Sequence, residues 1–164
     1  MTRLSIAAAL AAITLLSFFQ FPGHTWLQSD TQIYAPILEH LRNPAVLRNE
    51  MLVLGPHVSF TLYDEIAIGL RSLSHLEFQQ VLALEQICFR GLGILGFYLM
   101  ATAAGLARWP ALAAAAVAAL GANIGGPSVL LWEYEPVPRG FAVPLLFLAA
   151  GLAAHRRLLA AAAA

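Results

Sequence analysis

Lysine is absent from this 164-residue chain, whose nine basic residues are all arginines, balanced by nine acids. No basic block or alternation of basic and aromatic residues occurs, which removes the usual electrostatic footprint of nucleic-acid binding. A lone cysteine, Cys88, excludes an internal disulfide. It lies in an apolar run, where a packed thiol is expected. The five histidines show no zinc-like spacing. Charged residues make up only 11% of the chain, against about 25% in soluble domains. What remains is apolar: 60% hydrophobic residues and a mean hydropathy of +0.74. The composition predicts an all-α, polytopic membrane protein with the lipid bilayer as its solvent.

Four apolar runs are expected to span, at about residues 4–21, 87–106, 110–124 and 141–154. At 1.5 Å per residue, the first run reaches about 27 Å, close to the thickness of a hydrocarbon core. It ends in bulky Phe18, Phe19 and Phe21 with no small-x-small cleavage site, so an uncleaved span is favoured over a signal peptide. If the four spans alternate, Arg3, Arg108, Arg156 and Arg157 share one side. The positive-inside rule makes that side cytoplasmic. The opposite side then carries two outer loops, at about 22–80 and 125–140. The apolar run 158–164 after His155-Arg156-Arg157 reads as the first turns of a fifth span, an expectation that the chain is part of a longer protein.

The first outer loop holds two amphipathic patterns. Ile33, Ile37, Leu38 and Leu41 fall at helical spacing after Ser29 or Asp30, either a natural N-cap. Leu62, Ile66, Leu70 and Leu73 do the same within 59–73. Both are expected to lie at the membrane interface, with Asp64 and Glu65 on a solvated face. His57, in Gly55-Pro56-His57-Val58-Ser59, is a loop histidine rather than a metal ligand, and is counted as a substrate contact. The second outer loop breaks at Gly125-Gly126-Pro127 and carries Trp132-Glu133-Tyr134-Glu135-Pro136. Trp132 and Tyr134 fit an interfacial aromatic belt. In an extended strand, Glu133 and Glu135 share one side. Together they can hold a hard divalent cation (Mg or Mn), or one can act as a base. Arg139 can bind phosphate through its planar fork, or can pair with Glu135. Glu85 and Arg90, near the start of the second span, read as an interface pair, with Arg90 snorkelling.

Asp30 in Gln28-Ser29-Asp30-Thr31-Gln32-Ile33-Tyr34, with the acid-x-acid pair Glu133 and Glu135, resembles the N-terminal part of the C-type (GT-C) membrane glycosyltransferases. That family has a long first outer loop with two juxtamembrane helices and an acid after the first span. Another acid or acidic pair follows its third span. The resemblance covers nearly the whole chain in topology, but the motifs are short. It departs in offering one acid, not two, in the first loop, and the family's later spans are missing. It implies inverting transfer of a sugar from a polyprenyl-phosphate carrier at the outer face of a bacterial inner membrane. Asp30, Glu133 and Glu135 would be catalytic. A non-enzymatic transporter or assembly subunit, using Glu85 and Arg90, is the main alternative. An inactive gene fragment is a third.

Overall fold

A computed structural model describes residues 2–20, 30–55, 62–122 and 130–164. The described residues are all-helical: α1 (Arg3–Phe19), α2 (Thr31–Arg42), α3 (Leu62–Ser74), α4 (Phe78–Ala103), α5 (Arg108–Ala119), α6 (Arg139–Ala154) and α7 (Leu158–Ala163). Ser29, His57, residues 59–61 and the Gly125-Gly126-Pro127 break lie outside the described residues. Of the described helices, only α4 is long and apolar enough to cross a membrane. α1 and α6 are apolar but shorter, at 17 and 16 residues. α5 has 12 residues, about 18 Å of helix.

α4 is the hub, and α1, α3, α5 and α6 pack on it. It begins nine residues before the expected span because Glu77 and Gln80 form a reciprocal capping box. α6 lies closest to it, and glycines make that approach possible. A Cβ on Gly96 would fall 2.4 Å from the backbone of Phe147, and one on Gly151 2.7 Å from the Gly96 carbonyl. Small residues at a helix–helix contact let the backbones approach closely in this way. Ile94, Tyr98, Leu112, Ala115 and Trp132 form the main apolar core.

The last carbonyls of α5 lack intrahelical donors, as at any helix end. Three side chains supply them. Trp132 Nε1 donates to Ala118 (2.7 Å), Ser17 Oγ to Ala119 (2.7 Å) and Gln20 Nε2 to Leu120 (2.8 Å). Trp132 is therefore buried, not part of an aromatic belt, while Tyr134 is exposed. Cys88 is also a correction: it is exposed on α4 rather than packed.

The two loop helices form where expected; α2 buries half of its expected stripe, and α3 turns its leucines outward. In α2, Thr31, Ala35, Ile37 and Leu38 are buried, and Ile33 and Leu41 point outward. In α3, Leu62, Leu70 and Leu73 are exposed and Tyr63, Asp64 and Ala67 are buried. The leucine stripe is turned away from the protein, and Tyr63 takes its place in a cluster with Leu38, Phe78, Leu82 and Phe141. Asp64 is thereby buried, against the solvated face expected for it, while Glu65 stays exposed.

Candidate functional site

The 130–138 segment has no regular structure of its own, so its polar groups are fixed by side chains from the helices around it. Gln86 Nε2 (2.8 Å) and Arg90 Nη2 both donate to the Glu133 carbonyl. Arg90 Nη1 donates to the Ser17 carbonyl at 2.9 Å, and its guanidinium lies 5.6 Å from the Phe18 ring centre. Arg90 is thus buried between α1, α4 and this segment. It neither snorkels nor pairs with Glu85. Tyr63 Oη donates to the Pro136 carbonyl at 3.0 Å. Burial, with Glu85 and Asp64 nearby, pushes the Tyr63 phenol above its ordinary value.

The two acids of the pair have separate partners. Glu135 Oε2 accepts from the Thr31 N–H (3.0 Å) and the Thr31 hydroxyl (2.5 Å). It therefore caps α2 from a distant part of the chain. Asp30, expected as a local cap, makes no side-chain cap bond and is exposed. Glu133 Oε1 accepts from Arg139 Nε at 2.6 Å. The expected partner of Arg139 was Glu135. Gly140 lets the segment close on the start of α6: a Cβ there would sit 3.2 Å from the Glu133 Cβ.

Arg139 is tied to the second acidic region through Glu133. The Glu133 hydrogen bond holds its guanidinium above the ordinary value, and the charges of Glu133, Asp30 and Tyr34 act in the same direction. Glu133 is buried while the Arg139 side chain is 41% exposed, so the arginine keeps N–H groups free to reach outward. Pro138, the residue before it, forms part of the wall of an apolar pocket of about 300 Å³, lined also by Tyr63, Ile66, Phe89, Phe141 and Leu145.

Glu133 and Glu135 do not share a partner. One oxygen of each is committed to a different partner, and no group of three metal-ligating side chains occurs among the described residues. Sequence reasoning singled out Asp30, Glu133, Glu135 and Arg139, with His57 outside the described residues. It missed Gln86 and Tyr63, which carry no signal apart from their polar atoms within apolar runs. No family model, curated protein or solved structure matches the chain.

Proposed function

We propose that the chain is a GT-C-like glycosyltransferase segment, acting at the outer face of a bacterial inner membrane on a sugar carried by a polyprenyl phosphate. One observation carries the reading: buried Glu133 holds the partly exposed Arg139 guanidinium at 2.6 Å, and Pro138, the residue before it, walls an apolar pocket. A lipid-linked phosphate donor needs that pairing of polar head site and apolar groove. The proposal includes crossings by α1, α4, α5 and α6, with the N-terminus cytoplasmic and flanking residues extending the short helices. Outward-facing Leu4, Leu16, Phe19, Val117 and Leu146 support it, because a lipid surround would cover them.

In this reading Asp30 is the general base. It is exposed and free of a capping bond, so it can take the proton of an acceptor hydroxyl. The acceptor oxygen forms a bond to the sugar's anomeric carbon from the face opposite the phosphate. The bond from that carbon to the phosphate oxygen breaks, and the electron pair leaves with the lipid phosphate. Arg139 neutralises the departing charge, and buried Glu133 aims the guanidinium. Glu135 has a holding role through Thr31. No step is routed through a metal ion.

The test supplies membranes carrying the full chain with a panel of radiolabelled synthetic polyprenyl-phosphate sugars and scores label moved to acceptor. Transfer that falls on the order of 100-fold or more in Asp30→Asn supports the reading. Undiminished transfer in that variant, or no transfer from any donor, rejects it and leaves the non-enzymatic subunit as the better account.

A further inference from the structure

Glu85 plays no part in that mechanism, yet it is a buried acid. Only 3% of it is exposed, and neither carboxylate oxygen has a hydrogen-bond partner among the described residues. It lies one turn from Leu82 and Phe89, which belong to the cluster around Tyr63 and Phe141. Every helix packed on α4 can be searched for a compensating charge. α3 presents Tyr63 and Asp64, and both Glu85 and Asp64 act on the Tyr63 phenol; its cation, Arg71, lies over the Phe78 ring at the start of α4 and pairs with Glu77 (2.7 Å) and Glu39 (3.6 Å). α1 and α5 carry charge only at their first residues, Arg3 and Arg108. α6 carries Arg139, which is bonded to Glu133. On α4 itself, Arg90 donates to the Ser17 and Glu133 carbonyls. Tyr34 of α2, against Tyr63, brings no positive charge.

A buried carboxylate with neither donors nor a countercharge becomes neutral. We infer that Glu85 is a proton-binding site, and that its bound proton keeps α3 seated on α4. Losing the proton places a negative charge beside Tyr63, the residue that ties α3 to the Pro136 carbonyl. The seated state binds the proton more tightly than an opened state in which Glu85 meets water. Seating is therefore strongest at low pH and weakens as pH rises above the ordinary carboxylate range. The apolar pocket, part-walled by Tyr63 and Ile66 of α3, would loosen with it. This inference stands whether or not the chain transfers sugar.

The experiment uses the full chain in phospholipid nanodiscs, with isotope-labelled glutamate carboxyls read by infrared spectroscopy. At about pH 6 the wild type should show a protonated-carboxyl band that is missing from Glu85→Gln and that disappears at alkaline pH. Amide exchange in α3, corrected for its intrinsic rate, should rise by up to roughly tenfold per pH unit within that window. In Glu85→Gln it should stay flat. Absence of a Glu85-dependent protonated band at every pH overturns the inference, as does equal pH dependence of exchange in both proteins. Should Glu85→Gln fail to fold, Glu85→Met takes its place. Failure of both neutral variants would mean a charge is required there, which also overturns it.

Discussion

The seam between α4 and α6 and the 130–138 segment are held together in opposite ways. Along the seam, backbones touch because Gly96 and Gly151 leave out atoms. Around the segment, contact depends on groups that are present: Gln86, Arg90, Tyr63 and Thr31 each reach one polar atom of it. The first arrangement should resist additions and the second deletions. The seam has no local adjustment available, because the atoms a new Cβ would meet are themselves main chain. The segment can move a little when one bond is lost, since several others remain.

Gly96→Val should give the largest effect. Its side chain would fall on the Phe147 backbone, and overpacking of this kind costs about 3 kcal/mol or prevents folding. Denaturant unfolding in detergent would measure it. The same test on Gly69→Ala sharpens the point, because nothing lies within 4 Å of a Cβ there. In α3 that change should stabilise by about 0.5–1 kcal/mol through helix propensity. If both alanine or valine changes destabilised alike, glycine would be serving backbone flexibility rather than close approach.

Arg90→Leu comes next. It strips the Ser17 carbonyl of its Arg90 donor and leaves the Glu133 carbonyl with Gln86 alone. Buried acceptors left without donors cost about 2 kcal/mol. The loss should be larger than that of Gln86→Leu, which leaves Arg90 in place. Near-equal losses would show that the two donors act as one unit rather than as separate anchors.

Much of this was legible from periodicity and composition, and the failures have specific physical causes. The positions of α1, α2, α3 and α6 follow from apolar runs and turn residues. The buried face of α2 followed only in part (Ile37 and Leu38) and that of α3 did not, because a leucine stripe does not say whether protein or lipid will cover it. Glu135 as the cap of α2 was illegible for a different reason. Its partner Thr31 is 104 residues away, and capping rules look only at neighbours. Arg90 looked like an interfacial cation by position alone. Only the three-dimensional closeness of the Ser17 and Glu133 carbonyls explains why it is buried.

Glu135→Ala should cost about 1–2 kcal/mol, the usual value of a helix cap, and its effect should be local. Amide exchange should quicken in the first turn of α2 and not in α4 or α6. Thr31→Val removes the hydroxyl partner but keeps the N–H, so Thr31→Val and Glu135→Ala should be strongly non-additive in a double-mutant cycle.

Arg139→Gln should change stability least, by no more than about 0.5 kcal/mol, because its pair with Glu133 is partly exposed and screened by solvent. This smallest effect is the most informative about the segment. Glu133 is fixed twice, through its backbone by Gln86 and Arg90 and through its side chain by Arg139. If the backbone anchors suffice to hold the segment, removing the Arg139 link leaves the fold intact and alters only what the Glu133 carboxylate faces. A stability loss as large as that of Arg90→Leu would instead make Arg139 part of the scaffold, and would remove the reason for treating it as a group directed at a phosphate. Thermal unfolding of the two variants side by side, at low and high salt, distinguishes these cases, since only the exposed pair should weaken with ionic strength.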